Sequence, residues 1–437
     1  MTKVAEKLAH RFNVAPVIIK TKTKKFENVL EAIRDVVSDT EGLLIRRGQI
    51  LDNVFPRIRT IPTFSMISAL LPREWIFDLA EAAEVEKIYP NKIMWAFGAP
   101  RITSEGIFEV KSGVFGQSIK FTTTLYTKRL IGAFEANQKG FTGSGMKVCV
   151  IDTGVAVGHE MLRHAIADTV LNYAHDENGH GTWCCACVAG RYAVDTRLSR
   201  KVKRKVAAEG MAPNAWLISI KALGYLVGCG STDGILKAIE YALMRYNVDV
   251  ISMSLGGPSE EEKPEDDPYY EVFNYVTERG IIPVVAAGNE GPDSNTICTP
   301  GCLPNVLTVG AYDPLTGKVA NFSSRGPTNW GDIKPDCIAP GVNIHTACCG
   351  LLDRVGDNMR NRYAILSGTS MSTPHVAGLV TLMKQAHERL LGKTLTLDEI
   401  MTMLKELGHE KTNDEGYGPI TWGMYEEWLA TQYSVEI

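Results

Sequence analysis

Lys147-Val148-Cys149-Val150-Ile151-Asp152-Thr153-Gly154 is a short apolar run that stops at an aspartate and a turn glycine. A run of this kind reads as a strand buried on both faces, as strands inside parallel sheets are. Sites in open α/β sheets form beyond the carboxyl ends of the strands, so Asp152 stands where chemistry is expected. Working outward, similar runs recur at Trp216–Ala222, Val248–Ser254, Ile281–Ala287 and Asn305–Gly310. Helical patterns fall between or after them at 180–190, 233–245, 269–279 and 370–389. This alternation predicts an α/β fold, a mostly parallel sheet with helices on both faces. The last helices, near 397–407 and 423–432, are expected to pack on its outside.

A second stretch carries chemistry: Leu366-Ser367-Gly368-Thr369-Ser370-Met371-Ser372-Thr373-Pro374-His375-Val376-Ala377-Gly378. Pro374 has no backbone N–H and is expected in the first turn of a helix, which places Ser370 at or just before the helix N-terminus. Unpaired N–H groups and the helix dipole favour negative charge there. A serine in that position can act as a nucleophile whose attack creates an oxyanion beside its own N–H. Read alone, its lesser alternative is an ordinary N-cap. Asn178-Gly179-His180-Gly181-Thr182 puts a histidine between glycines at the head of another apolar helical run. Asp, His and Ser in this chain order, each on the expected kind of element, resemble the subtilisin-like serine proteases, the subtilases. The resemblance covers roughly Gly140 to Tyr425.

The resemblance implies that Ser370 attacks the scissile carbonyl, that His180 takes and returns its proton, and that Asp152 orients His180. It places the oxyanion-hole side chain at Asn289, in Ala286-Ala287-Gly288-Asn289-Glu290-Gly291, where an isolated asparagine would be plain turn chemistry. Ser254-Leu255-Gly256-Gly257 can take a substrate as an added strand, because its glycines let another backbone approach. In the family this segment lines the main specificity pocket, and Cys298 resembles the opposite wall, narrowing the pocket toward smaller or medium apolar side chains. Two features depart from the family. Its usual calcium site would need an aspartate where this chain has Met161, and a loop where it has the basic stretch 191–208, with Arg197, Arg200, Lys201, Lys203, Arg204 and Lys205. That site is expected to be absent. The basic stretch reads as a solvated loop, or as a dock for an acidic partner or a cleavage target. No cofactor is implied. His180, Cys184 and Cys187 share one helix face, but a metal held there would consume the catalytic base.

The N-terminal part, 1–97, reads as a small α+β domain. Val17-Ile18-Ile19 and Met66 to Leu71 are strands. Val29, Leu30, Ile33, Val36 and Val37 have helical spacing, as do Trp75, Ile76, Leu79, Ala82 and Ala83. Val85, Ile88 and Ile93-Met94-Trp95 close the unit. This order resembles subtilase propeptides of the inhibitor-and-foldase type. Residues 98–120 read as a linker holding the processing site, with glycines at 98, 106, 113 and 116. The cut is expected between Gly113 and Thr124, ahead of Leu130-Ile131-Gly132-Ala133, which resembles a segment near mature N-termini. The catalytic domain then spans 121–437.

With 45% hydrophobic and 22% charged residues, the chain has the composition of a globular protein with a sizeable core. A net charge of −4 gives no reason to expect nucleic acid or an anionic membrane as partner. No apolar run reaches the length of a membrane span, and the first residues lack the layout of a secretory signal. Ten cysteines read as reduced thiols in a cytoplasmic protein, with a Cys298–Cys302 disulfide left open. The expected function is a serine endopeptidase working through an acyl-enzyme, made as a self-processing zymogen with its own N-terminal segment as inhibitor. The rivals are a catalytically silent peptide-binding protein and an esterase or ligase using the same triad.

Overall fold

The computed structural model of the chain describes residues 14–22, 26–27, 29–30, 33, 58–72, 76, 79, 84–96, 108–111, 118–224 and 228–435. Near the N-terminus β1 (Val14–Thr21), β2 (Ile58–Ile61), β3 (Met66–Pro72) and β4 (Val85–Pro90) form an antiparallel sheet in the order β2-β3-β1-β4. Side chains alternate across a strand, so Val17, Ile19, Ile67, Ala69 and Leu71 face Val29, Leu30 and Ile33, the residues read at helical spacing. Ile18 and Met66 turn the other way and join Ile61, Phe64 and Tyr89 in a second cluster shared with the rest of the chain. Val36, Val37, Trp75, Ala82 and Ala83 lie outside the described residues.

The next strand leaves this sheet. β5 (Ile93–Ala96) pairs antiparallel with two short strands far along the chain, β13 (Cys229–Ser231) on one edge and β15 (Leu255–Gly256) on the other. The stretch read as a linker is partly strand. β6 (Phe108–Lys111) and β7 (Ser118–Thr123) form a hairpin, and β7 also pairs parallel with β19 (Ile344–Ala347), which pairs antiparallel with β20 (Tyr363–Leu366). Phe108-Glu109-Val110-Lys111 and Ile119-Lys120-Phe121 alternate apolar and charged residues with the period of a strand, a short signal set among the glycines of this stretch, and Ile119 and Phe121 are buried. Gly98, Gly106, Gly113 and Gly116 lie outside the described residues.

The main sheet has seven parallel strands: β8 (Lys147–Asp152), β9 (Ile166–Thr169), β12 (Trp216–Lys221), β14 (Val250–Met253), β16 (Ile282–Ala286), β17 (Leu307–Tyr312) and β18 (Cys337–Pro340). Their spatial order is β18-β17-β16-β14-β8-β12-β9. Along β8, Val148 and Val150 enter one core with α3 (His180–Ala189) and the long α7 (Thr369–Leu391), while Cys149 and Ile151 enter the core under α5 (Thr232–Tyr241) and α6 (Pro268–Thr277). Two-sided burial is why β8, β12, β14, β16 and β17 read as unbroken apolar runs, whereas the edge strand β9, Ile166-Ala167-Asp168-Thr169, is partly exposed and gives no such run. The short α1 (Thr124–Leu130) and α2 (Ala133–Gln138) precede the sheet. α8 (Leu397–Leu407) and α9 (Trp422–Tyr433) pack their apolar faces onto the α7 side, within one residue of the bounds expected. The basic stretch is not a plain loop. β10 (Ala193–Val194) and β11 (Ala207–Ala208) pair across it, and α4 (Thr196–Val202) sits between them. Met161, at the expected calcium position, is buried in the α3–α7 core.

Candidate active site

Asp152 ends β8 and is fully buried, with Oδ1 accepting from the Thr153 N–H at 2.7 Å. His180 opens α3 and presents Nδ1 at 2.8 Å from Asp152 Oδ1 and 3.0 Å from Oδ2. The glycines beside His180 make this approach possible. Gly179 has φ +106°, and a Cβ there would meet the Cys349 carbonyl oxygen at 2.1 Å. A Cβ on Gly181 would lie 2.3 Å from the carbonyl oxygen of Gly154, in the turn that follows Asp152.

Ser370 is the second residue of α7. Its hydroxyl donates to the Ser254 carbonyl oxygen at 3.0 Å. Pro374 is not in the first turn, as expected, but inside the helix. Its missing N–H would have bonded the carbonyl of Ser370, four residues earlier. That carbonyl instead accepts from the Ser254 hydroxyl at 3.0 Å and the Cys184 thiol at 3.6 Å. A cost of about 3 kcal/mol for an interior proline is thus offset by outside donors, and the same contacts tie the Ser370 backbone to the residue that follows β14 and to α3.

Asn289 follows β16. Its Oδ1 accepts from the backbone N–H of Thr369 at 2.9 Å and the Thr369 hydroxyl at 3.0 Å, which leaves the amide nitrogen as the donor end beside the start of α7. Ser254, Leu255, Gly256 and Gly257 lie together. Leu255 and Gly256 form β15, and Gly257 exchanges backbone hydrogen bonds with Thr299 at 2.9 and 3.0 Å. Cys298 is buried against Gly288, where an added Cβ would meet its Sγ at 2.6 Å. The structure therefore brings all nine sequence-derived site residues into one neighbourhood.

Cys187 does not join them. Its Sγ lies 3.2 Å from Nδ1 of His375, whereas Cys184 Sγ lies 3.8 Å from Nδ1 of His180. Burial holds the Cys184 thiol well above its usual pKa, so it stays protonated beside the histidine. All ten cysteines carry free thiols, Cys298 and Cys302 included.

One residue at the site escaped the sequence reading. Asp176 is buried and takes hydrogen bonds from the Thr153 hydroxyl at 2.9 Å, the Gly179 N–H at 2.8 Å, and the Thr182 N–H and hydroxyl at 2.9 and 2.6 Å. It pins the turn after Asp152 to the head of α3. Its only local signal is its place two residues before Asn178-Gly179, a weak one.

β5 runs through this neighbourhood as a third backbone. Trp95 is in register with Gly256 and with Cys229, Ala96 with Leu255, and the Ala96 N–H donates to Gly228 at 3.0 Å. Met94 is fully buried beneath it.

A family model described as the subtilase family matches residues 143–418. Serine protease AprX of Bacillus subtilis (strain 168) is 37% identical over 301 residues, 64% of this chain and 64% of its own length. An alkaline protease of Alkalihalobacillus alcalophilus is 36% identical over 252 residues, 57% of each chain. Subtilisin Savinase of Lederbergia lenta is 35% identical over 252 residues, 57% of this chain and 80% of its own. The chain thus spans 64% and 57% of the length of the first two of these relatives.

Proposed function

The chain belongs to the subtilase family, and from that premise we propose that it is a serine endopeptidase held in check by its own N-terminal segment. Ser370 attacks the substrate carbonyl, and His180 accepts its proton and later passes it to the leaving amine. Asp152 steadies the imidazolium, and the Asn289 amide donates to the oxyanion. The bond to the amine breaks as the acyl-enzyme forms, and water then releases the acid. The observation that carries this reading is β5. A peptide strand gripped on both edges beside Ser370 is how a peptide substrate is bound by strand addition, and it supports both a peptide-binding cleft and its occupation by the N-terminal segment. The relatives' names, serine protease, alkaline protease and subtilisin, point the same way.

Ala96 stands opposite Leu255, one residue short of Ser254, whose carbonyl holds the Ser370 hydroxyl. The self-processing bond is accordingly proposed within the two residues that follow Ala96, ahead of the 113–124 range read from sequence, part of which is β7. Ten free thiols support a reducing place of work.

The test is the intact mass of the purified chain beside its Ser370→Ala variant. The native chain is expected to split just beyond Ala96 and the variant to stay whole. Splitting of both would assign the cut to another protease. If both stay whole and Ser370 takes no label from a fluorophosphonate probe, the silent peptide-binding reading holds instead. Turnover of matched amide and ester substrates separates a peptidase from an esterase.

A further inference from the structure

Away from Ser370, three segments of chain converge on a second buried cluster. Asp195 caps α4, His345 lies in β19, and Asp357 and Asn361 lie in the loop before β20. Asp195 is 2% exposed, Asn361 9%, and His345 and Asp357 not at all. His345 Nε2 lies 3.1 Å from Asp195 Oδ2. The Asn361 amide reaches that same oxygen at 2.6 Å and Asp357 Oδ2 at 2.7 Å. One imidazole nitrogen and one oxygen from each carboxylate all lie within 4.8 Å of one another.

Each carboxylate is anchored by its other oxygen. Asp195 Oδ1 accepts from the N–H groups of Arg197 and Leu198 at 3.1 and 2.9 Å, and Asp357 Oδ1 from that of Met359 at 2.8 Å. The ring of His345 is stacked on Tyr363, 5.1 Å between centroids and 5° apart, with Phe121 at 5.7 Å. These are fixed groups, oriented before anything binds.

Two facts say that protein atoms alone leave the cluster unfinished. Among the described residues no lysine or arginine side chain pairs with either carboxylate, and both carboxylates are buried. Buried carboxylates are neutralised by a proton, paired with a cation or bound to a metal. The second fact is that Nδ1 of His345, fully buried, has no hydrogen-bond partner among the described residues.

We propose that Asp195, His345 and Asp357, with Asn361 beside them, form a binding site for one divalent metal ion of the zinc class. An imidazole with two carboxylates is a borderline donor set suited to zinc. Calcium asks for six to eight oxygens and tolerates imidazole poorly. Asn361 completes four-coordination if its amide turns over to present Oδ1. The ion's role is structural. It ties the basic α4 segment to β19 and to the loop around Asp357 that leads into β20.

The test uses the full chain carrying Ser370→Ala, stripped with a chelator and titrated with zinc chloride. One bound equivalent and a rise in Tm are expected, both lost in His345→Gln and in Asp357→Asn. Cobalt substituted for zinc should give ligand-field bands without a thiolate charge-transfer band. Such a band would put the metal on the Asp152, His180 and Cys184 trio instead and overturn the proposal. Absence of binding by the native cluster, or binding undiminished in both variants, also overturns it and leaves a proton-sharing network. Should His345→Gln fail to fold, as judged by circular dichroism, Asp357→Asn and the cobalt spectrum decide.

Discussion

Asp176 receives five hydrogen bonds, one of them from the N–H of Asn178, and never needs to touch a substrate. Its removal by Asp176→Ala is expected to lower kcat by about a hundredfold with KM little changed, because displacing a triad by an ångström has that effect. A parallel rise in KM would show a general loosening of the cleft instead. His375 illustrates a purely structural ionisable group. Burial pulls its pKa down to about 4, while its ring is held by Thr127 at 2.6 Å and the Met371 carbonyl at 2.7 Å. A depressed histidine binds fewer protons folded than unfolded. Its stabilisation is therefore present above pH 6.5 and lost as the pH falls toward 4, a change on the order of 3 kcal/mol. His375→Asn should flatten that acid limb in urea midpoints measured at pH 7 and 4.5; an unchanged slope would assign the limb to other groups such as His159, also held at about 4 by burial. Asp152, His180 and Ser370 were legible in sequence because each needs fixed neighbours: a strand end, flanking glycines, a helix start. Asp176 was not, since any short segment that offers a carboxylate would serve. Nor was the place of Pro374, whose orphaned carbonyl is served by Ser254 and Cys184 from distant parts of the chain.

At the scale of elements, β8, β14 and β16 were readable because both faces are buried and the run of apolar residues is continuous. β13 and β15 were not: Cys229-Gly230-Ser231 and Leu255-Gly256 have no periodicity, and their strand character comes from β5 between them. α3 depends on a bare contact, so Gly181→Ala should drive its head off the Asp152 turn and reduce kcat/KM at least a hundredfold, with CD little altered. Activity near the native level would mean that the helix can shift without cost. β5 can be probed through Met94, which is fully buried. Placing an uncompensated charge there with Met94→Asp should loosen the strand and shorten the lag between self-cleavage and full activity. A lag as long as the native one would show that β5 is not what restrains the cleft.

Across the whole molecule, the N-terminal sheet rests on α5 and α6 through apolar contact and paired charges. Ile18, Phe64 and Tyr89 meet the core of those helices. Around them Arg59 pairs with Asp233 at 3.1 Å, Lys92 with Glu261 at 2.6 Å and Lys87 with Asp266 at 2.7 Å, and Lys20 pairs with Glu271. The exposed pairs are worth little singly and are screened by salt. Release of the cleaved N-terminal segment should accordingly quicken as ionic strength rises; a rate independent of salt would leave the apolar face as the only hold. The grip on β5 has one further consequence. A cleft that engages both edges of a strand has no room for a strand already paired to a neighbour, and none for a helix, whose backbone groups are spent internally. On the proposed function, what enters is slack chain with both edges bare, and a folded protein is open to attack only where its own backbone hydrogen bonds are lost. The selectivity then lies less in any side chain than in whether the target has kept its own hydrogen bonds.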